Sequence, residues 1–352
     1  MNPIIMDCER MKYSDTGLYH FCLNLGRHLQ KALGGSGEHM AYYLPPALKN
    51  IFGAGAAYLP QNSLHKFSMP SLKPFAIWHS TYQDTDYMPF GNKRIRVVFT
   101  IHDLNYLYDD RKPAAKKQKY IQNLQRNINR SDAIVCISEY CRKDVELWCD
   151  TGNRPVHVIH NGSNTLHEAT LSSSSYRPQR PYIFALGTVG RKKNFHVLLN
   201  LLADTGNELI ISGKFDEPDY VGMIEAKATE MGVRERVHLT GVVSEEEKAW
   251  YYKHCLAFAF PSISEGFGLP VVEAMNFGKP LFLSDRTALP EIGGNAAFYF
   301  SNFTPDHMQY VFRRGMRQYN SNNLSKAIER QGRKFCWNEA AGRYLDVYRS
   351  LC

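Results

Sequence analysis

No run of eighteen or so uninterrupted apolar residues occurs in this chain, so a membrane-spanning helix is not expected. The opening MNPIIMDCER has no basic flank followed by a long apolar stretch, which argues against a secretory signal and for a cytoplasmic protein. Cysteines number eight, yet none form C-x-x-C; Cys8, Cys22, Cys136 and Cys255 lie in apolar runs, and Cys136, Cys141 and Cys149 are too widely spaced for a zinc site. Buried free thiols are the expectation. No two of the thirteen histidines form H-x-x-x-H, so a metal pair of that kind is also missing. No G-x-G-x-x-G follows the first strand-like run, which weighs against a nucleotide-dependent oxidoreductase.

What is present describes an ordinary soluble chain of two domains. Its 352 residues are more than twice the common domain size, and 44% hydrophobic with 22% charged residues excludes large-scale disorder. A net charge of +8 favours anionic partners, but sign alone does not choose among nucleotides, phospholipid headgroups and nucleic acid. DNA binding has no support beyond that charge. Between Arg111 and Arg130 the chain carries seven Lys or Arg and no acid. Tyr120, Leu124 and Ile128 form a narrow apolar stripe there, so a basic amphipathic helix is expected, either packed on its own domain or approaching a lipid-linked acceptor at a membrane surface.

Apolar runs rich in β-formers recur along the first half: PIIMDC, MAYYLP, FAIWHS, RVVFTIHD, AIVCIS and VHVIHNG. Helix-like stretches separate several of them, as in LYHFCLNLGRHLQKAL with Leu18, Cys22, Leu25 and Leu29 on one face. Residues 47–73 read as loop. A Ser- and Pro-rich stretch, TLSSSSYRPQRP, reads as a linker. The alternation then restarts with YIFALG, ELIISG, RVHLTG, LAFAFPS, PLFLSD and AAFYF, and NFHVLLNLLADTG reads as a helix between the first two. Two α/β domains with parallel sheets follow from this pattern. The plain reading of the tail RKFCWNEAAGRYLDVYRSL is a helix capping the second domain.

In SEGFGLPVVEAMNFGKP, Glu265 and Glu273 bracket a Gly-Phe-Gly turn. Pro270 is placed to open a helix of about two turns, with Glu273 in its first turn, and Gly278-Lys279-Pro280 to end it. A helix start behind glycines suits a phosphate, and carboxylates suit vicinal hydroxyls. With both carboxylates facing one cavity, the layout is that of a sugar nucleotide.

The longer string PSISEGFGLPVVEAMNFGKPLFLSDRTALPEIGGNAAFYF resembles the signature segment of the retaining glycosyltransferases of family 4. ISEYCRKDV, VIHNGSN, GRKKNFHVLL, LTGVVSEEEKAWYYKHC and FCWNEAAGRYLDVY fall in the family's order. The resemblance implies the GT-B fold, two Rossmann-like parallel-sheet domains facing across a cleft. They would take residues 1–170 for the acceptor and 182–330 for the donor, with a linker at 171–181 and a terminal helix, 331–352, packing back toward the first domain.

Position by position, the resemblance implies that Glu265 contacts the donor sugar and Glu273 the ribose. Main-chain groups of Gly266, Phe267, Gly268 and Leu269 would hold sugar hydroxyls and phosphate, and Lys193 would neutralise the diphosphate. Thr188 stands where many members carry arginine, which leaves Arg191 or Lys192 as substitutes. Val242 and Gly17 complete the donor contacts, and His102 faces the transferred sugar, so the catalytic set is His102, Lys193 and Glu265. Asp103, Ser138, Glu139, Asn161, Gly162 and Glu291 fall at motif positions, with turn chemistry favoured for Asn161-Gly162 and a helix-capping role open for Asp103.

No metal or cofactor is expected; the nucleotide-diphosphate sugar, from GDP-mannose or a rhamnose donor, is a substrate. The implied reaction transfers its sugar, with retained configuration, to a glycan or lipid-linked acceptor in bacterial surface-polysaccharide assembly. A sugar-nucleotide epimerase of the same fold and a non-catalytic carbohydrate-binding protein are the competing readings.

Overall fold

The computed structural model describes residues 3–14, 16–34, 40–163, 175–203 and 205–352. They divide into two compact units: one runs to Gly162 and regains the chain at Phe335–Cys352, and the other is Ser163–Lys334.

The first unit is built on seven parallel strands: β1 (Ile4–Asp7), β2 (Met40–Leu44), β3 (Ala57–Pro60), β4 (Ile77–Ser80), β5 (Arg96–Ile101), β6 (Ala133–Cys136) and β7 (Val156–Val158). Their spatial order is β3-β2-β1-β4-β5-β6-β7, with Ile4 of β1 opposite both Met40 and Ile77. The inner strands are buried along almost their whole length, as they must be in a parallel sheet covered on both faces. Six of the seven follow the expected runs. The exception, β3, lies in the stretch read as loop; its four residues are exposed or half-buried at the sheet edge, so no hydrophobic signal marks it.

Helix α1 (Gly17–Leu33) starts at Thr16, whose hydroxyl accepts from the Tyr19 amide at 3.3 Å, and buries Phe21, Cys22, Leu25, Leu29 and Leu33. Helix α2 (Ala114–Arg130) is the basic one. Its apolar stripe turns inward: Leu124 and Ile128 are fully buried and the Tyr120 ring lies 4.7 Å from that of Tyr106. The packing reading holds for that stripe. Helix α3 (Glu139–Trp148) follows β6.

Six parallel strands form the second sheet: β8 (Tyr182–Leu186), β9 (Glu208–Ser212), β10 (Val237–Gly241), β11 (Ala257–Phe260), β12 (Leu281–Ser284) and β13 (Phe298–Phe300), in the order β10-β9-β8-β11-β12-β13. All six match the expected runs. Around them pack α4 (Pro218–Glu230), α5 (Glu245–His254), α6 (Leu269–Met275), α7 (Leu289–Gly293), α8 (Pro305–Asn322) and α9 (Ser325–Gly332). NFHVLLNLLADTG is not an α-helix; Phe195–Leu201 is a 3-10 segment entered through Asn194 at φ 58°. Six of its seven residues are buried, so contacts on every side, rather than one apolar stripe, set its winding.

Residues 171–174 of the expected linker lie outside the described residues. From Ser175 onward it is docked: Tyr176 stacks on His238 at 3.8 Å, donates to Glu208 and accepts from the Tyr251 hydroxyl at 2.7 Å.

The terminal helix, α10 (Trp337–Ser350), belongs to the first unit and packs on α1, which corrects the reading of a cap on the second domain. It buries Trp337, Ala340, Ala341, Tyr344, Leu345, Val347 and Tyr348. Tyr348 and Tyr344 reach the sheet through buried polar bonds: Tyr348 Oη lies 2.7 Å from His79 Nδ1, His79 Nε2 2.8 Å from Thr100 Oγ1, and that hydroxyl 3.0 Å from Tyr344. Burial drives the His79 pKa down to about 3, so the ring is neutral. Among the described residues no helix is long and apolar enough to cross a membrane.

Candidate active site

The carboxyl ends of β8 and β9 meet at two glycines with left-handed backbone, Gly187 at φ +148° and Gly213 at φ +138°. A Cβ on Gly213 would lie 2.1 Å from the Gly187 carbonyl oxygen, so the two loops touch main chain to main chain. Over this floor bends Lys193, whose Cε lies 3.2 Å from the place a Gly187 Cβ would take. Its ammonium sits 4.7 Å above the Phe260 ring and 2.6 Å from Glu265 Oε1.

Glu265 follows β11 and is 8% exposed. Oε1 also accepts from the Ser262 hydroxyl at 2.5 Å, while the Glu265 amide donates to Thr287 Oγ1 at 2.8 Å, a residue held at φ +53°. Burial pushes the carboxyl up, but the ammonium groups of Lys193 and Lys192, with the bonds from Lys193 and Ser262, outweigh it and hold the group below the ordinary carboxylate range. The result is a partly accessible ion pair at the strand ends, the place where open α/β sheets take ligands.

Gly266 and Phe267 lead to Gly268 at φ +108°, a conformation that favours glycine, and α6 starts at Leu269. The helix has the expected length of about two turns, but Glu273 lies in its second turn rather than its first. There Glu273 is 4% exposed and its carboxylate is held from the side of α5. Glu273 Oε1 accepts from Lys248 Nζ at 3.1 Å and Oε2 from the Tyr252 hydroxyl at 3.1 Å, both on α5. Glu265 and Glu273 are thus held by different elements on the two sides of the turn.

Of the neighbouring bases, Arg191 is bound to Glu217 at 3.0 Å and Asp219 at 2.7 Å and lies over the Tyr220 ring, while Lys192 contributes its main-chain carbonyl to Ile263 N and Ser262 Oγ and its charge to Glu265. Thr188 is exposed. Val242, 65% exposed, lines a cavity of about 470 Å³ with Tyr176, Glu225, His238, Thr240 and Glu247; Lys193, Glu265 and Glu273 are not among its walls. Glu291 occupies the first turn of α7.

In the first unit, His102 directly follows β5. Its Nε2 lies 2.8 Å from the Thr81 carbonyl, which can only accept, so Nε2 carries the hydrogen and Nδ1 is the acceptor atom of the neutral ring. Burial lowers its pKa, against smaller opposing effects of the Thr81 bond and Asp103. Its backbone amide donates to Gln83, and its ring meets the edge of Phe21 at 4.7 Å, which in turn lies 5.9 Å from Trp337 of α10. Asp103 caps the following turn through the Asn105 amide at 3.0 Å, and Ser138 caps α3 through the Cys141 amide.

Gly17 opens α1, with no atom within 4 Å of an added Cβ. Neither Asn161 nor Gly162 has positive φ, which corrects the turn reading. Gly162 is small because Trp337 passes over it: a Cβ there would lie 2.2 Å from the Trp337 nitrogen.

Sequence reasoning missed Ser262, Thr287, Lys248 and Tyr252. Only the last two leave a signal, a lysine at i, i+4 from a tyrosine on the face that α5 buries.

Residues 169–335 match the family described as glycosyl transferases group 1, and residues 71–165 match glycosyltransferase family 4. Among curated proteins, the O-antigen chain mannosyltransferase B of Escherichia coli is 23% identical over 73% of this chain and 71% of its own length. The O-antigen chain mannosyltransferase RfbU of Salmonella typhimurium is 24% identical over 60% of this chain and 61% of its own. Anabaena HepE, solved with UDP and glucose, shares the fold at TM-score 0.76 and 16% identity over 99% of this chain and all of that one. A sucrose-phosphate synthase from Thermosynechococcus elongatus does so at TM-score 0.76 and 17% identity, over 100% of this chain and 99% of its own. With both matched segments in family order and both sheets of the GT-B type, this chain belongs to the family 4 glycosyltransferases.

Proposed function

We propose that this glycosyltransferase moves a mannosyl group from GDP-mannose to a hydroxyl of a glycan or lipid-linked acceptor, with retention of configuration, in the assembly of a bacterial surface polysaccharide. The observation that carries the reading is the Lys193–Glu265 pair at 2.6 Å, seated on the glycine floor at the ends of β8 and β9. A donor diphosphate would take the ammonium, and the carboxylate so released would accept from sugar hydroxyls. Charge grows on the leaving diphosphate in the transition state, so a fixed ammonium there lowers the barrier without a metal having to be assigned. The main chain from Gly266 to Leu269 is assigned to sugar hydroxyls and phosphate, Glu273 to the ribose, and the neutral His102 to the transferred sugar through Nδ1.

Retention is read as same-face attack, in which the departing phosphate takes the acceptor's proton; the protein supplies position and field. The choice of mannose, and of polysaccharide as the pathway, rests on the O-antigen mannosyltransferases of Escherichia coli and Salmonella. With the apolar stripe of α2 spent inside its domain, approach to an anionic membrane rests on exposed charge such as Lys116 and Lys119, and vesicle binding should vanish in high salt.

Thermal unfolding with GDP-, UDP-, ADP- and dTDP-sugars tests the donor. GDP-mannose should raise the midpoint most, since a ligand at a hundred times its Kd adds about 2.7 kcal/mol. A larger shift with another donor overturns the mannosyl assignment, and release of nucleotide without acceptor-dependent transfer favours the epimerase reading.

A further inference from the structure

We propose that Lys248 and Tyr252, one turn apart on α5, are positioning residues that lock the Glu273 carboxylate for the two ribose hydroxyls of the donor. The proposal rests on Glu273 being the ribose ligand, as assigned above. Lys248 is 8% exposed, and its ammonium is gripped from both sides, by Glu273 at 3.1 Å and by Glu245 at 2.8 Å. Tyr252 is fully buried among Phe184, Phe258 and Phe277. Its hydroxyl lies 3.1 Å from Glu273 Oε2 and 3.0 Å from the Pro270 carbonyl.

Packing alone does not call for either polar group. A buried ion pair costs desolvation that apolar residues of similar volume avoid, and phenylalanine would fill the Tyr252 site. What the pair does accomplish is geometric. Lys248 donates to one carboxylate oxygen, and the Tyr252 hydroxyl turns its single hydrogen to the other, the charged acceptor, in preference to the neutral Pro270 carbonyl; this fixes the rotamer of Glu273 and occupies two of its roughly four acceptor directions. Two remain, on atoms that no longer move, and a ribose presents two adjacent hydroxyl donors. Glu245 completes the device by keeping the ammonium from swinging away.

The test uses the full chain and calorimetry. The probes are whichever of ADP, GDP or UDP binds most tightly, and its 2′,3′-dideoxy counterpart. Lys248→Met should weaken the ribonucleotide about tenfold and leave the dideoxy form within about twofold, and Lys248→Arg should recover most of the loss. Tyr252→Phe, which deletes one oxygen and keeps the ring, should show the same selective loss and serves if Lys248→Met does not fold. Equal weakening of both nucleotides, or wild-type affinity for both, in the Lys248 and Tyr252 variants overturns the positioning role. Glu273→Gln separates the two readings: if it spares ribonucleotide affinity, or if no nucleotide binds the wild type, the ribose assignment itself fails.

Discussion

Lys193 carries two loads that separate by pH. Lys193→Ala removes the cation assigned to the leaving diphosphate, and turnover should fall roughly a hundred- to a thousandfold, about 2.7 to 4 kcal/mol. It also strips Glu265 of its nearest counter-charge, 2.6 Å away, leaving burial to push that carboxyl up. In the wild type a depressed Glu265 stabilises the fold above the ordinary carboxylate range and ceases to do so as pH falls through its folded value. In the variant, protonation relieves the buried charge instead. The Tm difference between the two should therefore be largest near neutrality and shrink toward pH 5; a pH-independent difference would show that the pair is not the cause. Asp7 behaves in the opposite sense. Burial outweighs the bond from the Glu9 amide and raises its pKa to about 8, so between about pH 4 and 8 the folded state holds a proton that the unfolded chain has released. Stability should decline as pH rises through that window. Asp7→Asn should remove that decline and overtake the wild type in urea midpoint above pH 8.

Elements in this protein are joined where side chains are missing as well as where they pack. The loops after β8 and β9 approach so closely that Gly213→Ala sets a methyl against the Gly187 carbonyl and requires a backbone conformation that L-residues rarely adopt. A loss of at least about 1 to 3 kcal/mol is expected, together with loss of the donor-induced Tm shift, because the same floor carries Lys193. Gly222 in α4 is the contrast: no atom lies within 4 Å of its added Cβ, and Gly222→Ala should stabilise by about 0.4 to 1 kcal/mol. If both substitutions act alike in urea titrations, the contact at Gly187 is not what decides. The α5–α6 pairing shows the complementary device, in which one helix lends polar side chains to hold a buried carboxylate of another.

On the scale of the molecule, the chain order hides a dependence of the first unit on the last helix. Trp337 crosses Gly162 and backs Phe21, which lies against His102, while Tyr344 and Tyr348 tie α10 to β4 and β5. Tyr348→Phe leaves the buried Nδ1 of His79 without its partner and should cost about 1 to 3 kcal/mol in equilibrium unfolding. An unchanged midpoint would mean that water or a rotated hydroxyl replaces the bond.

The strands were legible from composition because parallel sheets bury both faces: eleven residues of β1, β6 and β11 such as Ile4, Val135 and Phe258 are apolar whichever way they point. The family string, with seven residues between Glu265 and Glu273, likewise lay in local order and could be read. Edge strand β3 could not, since its short, half-exposed run carries no hydrophobic contrast. Nor could the destination of α10, the partnership of Lys248 with Glu273, the Lys193–Glu265 pair, or the reason Gly162 is glycine. Each is a contact across many residues of chain, set by which surfaces the folding of its own unit brings within a few ångströms, and local patterning records only that a surface is apolar or charged, never what it will meet.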